Sequence, residues 1–251
     1  MSPPSKSRPV LEVIACSAED CRLAEQGGAD RVELCAAIEV GGLTPSYGLA
    51  ATAKKGCKLP LMAMVRPRSG GFAYTETEMD AMERDAEAFL ALGTEGLVFG
   101  VLTNDATIDV AKNHRLVKAG GIAEKVFHRA FDVLSDPFEG LEQVIDLGFT
   151  RILTSGGAAS ILEGADQFKR LMDAAKGRIE LLPGGGIQES NVQQVLAMTG
   201  ANQVHMTAFE IRQDLSTSKT DRTFNTRTAP ESGFHALNAD RVRETLKCLA
   251  G

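Results

Sequence analysis

The chain has 251 residues, 43% of them hydrophobic and 24% charged, with a formal net charge of -6 at pH 7. These proportions suit a soluble globular protein with room for one large domain or two small ones. The acidic balance argues against nucleic acid or an anionic membrane as partner, and no apolar run is long enough to span a bilayer.

Residues 1–9 lack the apolar core of a signal peptide and read as a disordered tail. Five cysteines, an odd number in a chain without an export signal, read as reduced thiols in the cytoplasm. The first strand is Leu11 to Cys16, and Ser17 caps a helix that runs to Gly27-Gly28. From Arg31, the apolar Val32, Leu34 and Ala36 alternate with Arg31, Glu33 and Cys35, which predicts a second strand. Thr44-Pro45 then opens a helix to about Lys55. Leu61 to Pro67 is the third strand, and Thr75 to Glu78 is a capping box for a helix ending near Gly93. Gly96 to Leu102 is strand four, with Asp109 opening its helix. Lys125 to Ala130 is strand five, and Asp136-Pro137 caps the helix to Gly148. Arg151 to Thr154 is strand six, followed by a helix to Lys176. Ile179 to Leu182 is strand seven, with a helix from about Ser190 to Met198. Gln203 to Ala208 is strand eight, and Asn238 starts the final helix.

Eight strands, each followed by a helix, give the rhythm of a single parallel (β/α)8 TIM barrel of the α/β class, covering residues 10–251. A doubly wound open sheet is the competitor, but such sheets usually stop at about five or six strands. One long polar loop, residues 210–237, follows strand eight, where a lid over the active face belongs.

Parity assigns the barrel interior, because alternate strand residues face opposite sides. It turns Glu12, Ile14 and Cys16 inward from strand one, and Glu33 and Cys35 from strand two. It turns Met62, Met64 and Arg66 inward from strand three, His128 from strand five, and His205 and Thr207 from strand eight. Arg129 emerges at the rim. Barrel interiors are normally filled with branched aliphatics, so these ionisable groups are either functional or an ion-pair network of Arg66 with Glu33 or Glu12. The turns at Ser155-Gly156 and Gly184-Gly185 let backbone N–H groups approach an anion, or simply turn tightly. Cys16 and Cys35, inward on adjacent strands, suit the soft ion Cu(I), or are two small buried hydrophobes.

The segments Gly-Gly-Ala-Asp-Arg-Val-Glu-Leu-Cys, Gly-Gly-Leu-Thr-Pro-Ser, Val-Arg-Pro-Arg-Ser-Gly-Gly-Phe, Phe-His-Arg-Ala-Phe-Asp, Leu-Thr-Ser-Gly-Gly and Pro-Gly-Gly-Gly-Ile resemble the CutC family. The resemblance covers residues 11 to about 209. It implies a (β/α)8 barrel, a cytosolic homodimer or higher homo-oligomer, and a role in copper homeostasis. Glu12, Glu33, Arg66, His128, Arg129, Asp132 and Ser155 match the family's site-like positions, and Cys35 matches its cysteine after Glu-Leu. Two positions depart: Ile14 stands where many relatives have cysteine, and His205-Met206-Thr207 where they have His-Cys-Ser.

Two functions follow. The first is cytosolic copper-ion binding through Cys16 and Cys35. The second is metal-independent acid–base catalysis on a small anionic or phosphorylated metabolite. There Glu33 or Glu12 would be the base, His128 the acid or polarising group, and Arg66 and Arg129 the anion clamp. A Schiff-base aldolase fits poorly because Lys125 begins its strand, at the wrong end. Zinc chemistry lacks close His/Asp/Glu ligand spacing.

Overall fold

Helix-start signals written in the sequence set the rhythm of the barrel. The computed structural model describes residues 8–216 and 233–250. The strands are β1 (Val10–Ala15), β2 (Arg31–Leu34), β3 (Leu61–Met64), β4 (Gly96–Phe99), β5 (Glu124–Phe127), β6 (Arg151–Thr154), β7 (Glu180–Pro183) and β8 (Gln203–Met206). After each comes a helix: α1 (Ala18–Gly27), α2 (Tyr47–Gly56), α3 (Glu76–Ala91), α4 (Val110–Ala119), α5 (Pro137–Asp146), α6 (Ile161–Ala175), α7 (Val192–Thr199) and, last, α8 (Ala239–Ala250). Ser17, Asp109 and Asp136 cap α1, α4 and α5 as expected, and Thr75 with Glu78 closes the capping box of α3.

Every neighbouring pair from β8 through β1 to β7 is parallel, in the order β7-β6-β5-β4-β3-β2-β1-β8. Across the remaining seam, the Gln203 side chain donates to the Leu181 carbonyl (3.4 Å) and to Glu180 (3.3 Å). The result is a barrel of eight parallel strands, nearly closed. The larger apolar core lies between strands and helices, with Leu11, Val32, Leu34, Phe127 and Phe168 among its members. A smaller one fills the barrel, built from Ile14, Cys35, Met62, Met64, Val98, Val126, Leu153 and Leu182.

Below that inner core the barrel is closed by charge. Arg31, Glu124, Arg151, Glu180 and Gln203 are the first residues of β2, β5, β6, β7 and β8. Arg151 bridges Glu124 and Glu180, each at 2.8 Å. Arg31 pairs with Glu12 and donates to Gln203 at 3.1 Å. A buried guanidinium is tolerated only with such partners.

Three expectations need correction. Ser46 rather than Thr44 caps α2, accepting the Leu49 N–H at 3.1 Å. Thr44 instead accepts the Arg66 N–H at 2.9 Å, tying two loops together. Strand five stops at Phe127, because His128 caps a 3-10 turn over Arg129–Val133. The segment 210–237 is not loop throughout. Its ends pair as an antiparallel hairpin, β9 (Phe209–Gln213) with β10 (Gly233–Leu237), while residues 217–232 lie outside the described residues.

Candidate functional site

A cavity of about 380 Å³ opens where residues leave the C-terminal ends of β2, β3, β5, β7 and β8. Barrel enzymes place their chemistry at this end. Its wall includes Glu33, Cys35, Arg66, His128, Arg129, Gly185 and His205.

Glu33 is 3% exposed, and its Oε2 has no hydrogen-bond partner among the described residues. Burial pushes its carboxyl up from 4.5 to about 7, with Glu12 adding repulsion and His205 opposing. Glu12 lies one layer lower. It accepts from Arg31 on one oxygen and meets His205 Nδ1 at 2.7 Å on the other. Burial works against its charge, yet Arg31 and His205 outweigh that and bring it down to about 2. His205 moves the other way: burial disfavours its charge, but Glu33 and Glu12 together raise its pKa above 6.5.

These shifts give a stability prediction. Folded Glu33 keeps its proton up to about pH 7, whereas the unfolded chain releases it near 4.5. The unfolded state therefore binds fewer protons across this window, and wild-type stability falls as pH rises through it. Glu33→Gln should remove that fall, gaining on wild type by roughly 3 kcal/mol between the two ends of the window. Urea denaturation of both proteins at pH 4.5 and pH 7.5 checks this; equal pH dependence would contradict it.

His128 accepts the Ala130 N–H on Nδ1 at 3.3 Å, so its proton sits on Nε2, a buried atom without a partner among the described residues. Burial, and then the nearby Arg66, push its pKa down to about 3. His128 is therefore a neutral donor rather than an acid at physiological pH. The Phe72 ring packs 5.0 Å from the imidazole, and the Arg66 guanidinium carbon lies 5.2 Å over that same ring.

Arg66 pairs with neither Glu33 nor Glu12 among the described residues. Its guanidinium donates to the carbonyls of Val40 (2.9 Å), Gly42 (2.9 Å) and Gly70 (2.8 Å), so it clamps two loops at the mouth. Arg129 is half exposed and is held by Asp132 (2.7 Å) and the Ser155 hydroxyl (2.8 Å). Asp132 also accepts from the Thr154 hydroxyl (2.5 Å) and the N–H groups of Ser155 (2.9 Å) and Gly157 (3.2 Å). With its lone pairs taken up this way, Asp132 positions Arg129 and the turn after β6.

The glycine turns divide. The Ser155, Gly156 and Gly184 N–H groups are bonded to Asp132, the Thr154 hydroxyl and the Thr154 carbonyl. Gly156 has φ +74°, and a Cβ there would lie 2.2 Å from the Gly164 carbonyl oxygen, so this glycine serves helix packing. Gly185 lines the cavity, its N–H has no protein partner among the described residues, and a Cβ there would lie 3.4 Å from the Arg129 guanidinium.

Cys35 lines the cavity and meets Cys16, with their sulfurs 3.7 Å apart. Cys35 is fully buried; its contact with Cys16, reinforced by burial, pushes its thiol well up. Asp20 braces this corner, one oxygen accepting the Cys16 N–H (3.0 Å) and the other the Leu237 N–H of β10 (2.9 Å). Met206 is buried and packs in the outer core, and it also borders the cavity that Cys35 lines.

The sequence model of the CutC family matches residues 10–210. The chain belongs to the CutC family. A CutC family protein of Treponema denticola is 43% identical over 241 residues, covering 95% of this chain and 98% of the relative. The human copper homeostasis protein cutC homolog is 43% identical over 203 residues, covering 81% of this chain and 74% of that protein. A crystal structure from Streptococcus agalactiae, named for the copper homeostasis protein CutC, superposes with a TM-score of 0.74 at 36% identity. That match covers 78% of this chain and 97% of the other. CutC membership accounts for the barrel and places the chain in a family named for copper homeostasis. No helix among the described residues is long and apolar enough to cross a membrane.

Sequence reasoning missed two contributors to the site. Arg31, which shares parity with Glu33, neutralises Glu12 from below. Phe72 comes from a loop that carries no strand periodicity, and only the fold brings it against His128.

Proposed function

We propose that this chain is a cytosolic copper-binding CutC protein that holds Cu(I) between Cys16 and Cys35. The observation that carries this reading is the 3.7 Å separation of the two sulfurs, one of them on Cys35 in the cavity wall. Two thiolates side by side are the soft donor set Cu(I) prefers. The names of the relatives give the same direction. Ile14 and Met206 leave the thiol set at two in this corner, which suits a two-coordinate ion. Homo-oligomerisation belongs to the same proposal, and sedimentation of the purified protein reads it.

An anaerobic Cu(I) titration against a competing chelator tests the site. One copper per chain is expected for wild type, with loss of at least 100-fold in affinity for Cys16→Ser, Cys35→Ser. Equal binding by that variant would remove the site.

A second reading is favoured by two other atoms. Glu33 Oε2 and His128 Nε2 are buried, without a partner among the described residues, and belong to residues of one cavity wall. Unmet hydrogen-bonding groups in a dry site are costly unless a ligand meets them. In this reading Glu33 acts as general base, His128 donates a hydrogen bond to a substrate oxygen, and Arg129 with the Gly185 N–H holds an anion. The protein then catalyses proton transfer or hydrolysis on a small anionic metabolite. Thermal-shift screening of phosphorylated metabolites should yield hits that weaken at least tenfold in Glu33→Gln and His128→Ala. Hits indifferent to both changes would end this reading.

A further inference from the structure

The close approach of β1, β2 and β8 gathers a donor set that the sequence spacing hides. Glu12, Glu33 and His205 each offer a ligand atom, and these atoms all lie within 4.8 Å of one another. All three side chains are buried, at 1%, 3% and 5% exposure. Glu12 faces His205 across the β1–β8 register, and Glu33 faces Ile14, two residues along β1.

From this juxtaposition we infer that Glu12, Glu33 and His205 form a site for one first-row divalent cation, Zn2+ or Mn2+, beneath the cavity. Acidic clusters are common without a metal, so a second observation matters. Glu33 Oε2 is buried and has no hydrogen-bond partner among the described residues, although Arg31 and His205 act on this carboxyl. Among the described residues Arg31 forms its ion pair with Glu12 and makes none with Glu33, so Glu33 is the member of the group whose side chain is free to turn to an ion. Two carboxylate oxygens and an imidazole nitrogen are the hard-to-borderline donors that such cations choose, and Cu(I) does not.

Three protein ligands leave further coordination positions open. Glu33 and His205 both line the cavity, so those positions face the space where an anion would enter. The cation would bind an anionic oxygen there, with Arg129 at the rim as a second anchor. The site uses none of the thiols and stands apart from the copper proposal. With the cation bound, Glu33 is a ligand and not a base, which separates this inference from the acid–base reading.

The test uses the full-length protein, stripped of metal with a chelator that is then removed. Zn2+ and Mn2+ are titrated separately against a chromogenic chelator. Wild type is compared with Glu33→Gln, His205→Gln and the Cys16→Ser, Cys35→Ser variant. The expected result is one ion per chain, with affinity at least 100-fold lower in Glu33→Gln and His205→Gln and unchanged in the cysteine variant. Glu33→Gln is near isosteric at a side chain whose Oε2 has no hydrogen-bond partner among the described residues, so its circular dichroism and melting should show a folded protein. Failure of wild type to bind either ion stoichiometrically overturns the inference. So does undiminished binding by folded Glu33→Gln, or loss in the cysteine variant, which would move the ion to the thiols. A Cu(I) titration of the same set keeps the proposals apart, because Glu33→Gln should retain Cu(I) while losing Zn2+ and Mn2+.

Discussion

Arg31→Ala should lower folding stability by about 3–5 kcal/mol, among the largest losses available to a single substitution in this chain. Arg31 is 8% exposed and donates to Glu12 and Gln203. Its removal leaves a buried carboxylate whose charge is then offset by His205 and, more weakly, by Arg151. The damage comes from the orphaned partner more than from the lost attraction, and this has a corollary. Arg31→Met combined with Glu12→Leu should recover much of the loss, since apolar groups of similar volume often replace a buried pair without penalty. Urea denaturation of the three proteins measures both statements. A single variant within about 1 kcal/mol of wild type would mean that the Arg31–Glu12 pair does not carry the charged end of the barrel.

Gly164→Ala should be comparably severe, at or beyond about 3 kcal/mol, for a steric reason. A Cβ on Gly164 would lie 1.8 Å from the Ser155 carbonyl oxygen, so α6 and the turn after β6 are in backbone contact and neither can yield like a flexible side chain. The consequence extends beyond stability, because Ser155 seats the Arg129 guanidinium at 2.8 Å. Gly164→Ala should therefore weaken any anion that Arg129 holds, whereas Gly148→Ala, with no heavy atom within 4 Å of its Cβ, should leave that binding unchanged. Because Gly148 has φ +85°, its substitution costs backbone strain, which makes it a control for destabilisation without a clash. Denaturation and ligand titration of the pair measure both effects. Equal outcomes for the two glycines would refute the contact argument.

The barrel was legible because its signals are local. Helix caps at Ser17, Thr75, Asp109 and Asp136 act within one turn, and strand parity needs only neighbouring residues. Parity also brought Glu33, Cys35, His128 and His205 to one cavity wall. It could not assign partners. Arg66 and Glu33 both face inward, yet Arg66 donates to loop carbonyls through both terminal nitrogens and Glu33 Oε2 has no partner among the described residues, a choice made by loop conformation. Glu12, from its position on β1, reads like a cavity residue. The register that sets it against Arg31 and His205 places it beneath the cavity wall. The hairpin at the ends of segment 210–237 escaped notice because its two strands are separated by a polar stretch longer than a hairpin turn.

One small contact changes how the thiol corner is controlled. The Asp20 carboxylate holds the Cys16 N–H with one oxygen and the Leu237 N–H with the other, and it is 1% exposed. A short, rigid side chain with both ends engaged acts as a mechanical strut. Displacement of the hairpin is carried to the backbone at Cys16, and so to the gap between the two sulfurs. Whatever loads the hairpin from outside can thereby alter the spacing of the thiol pair, without touching either cysteine.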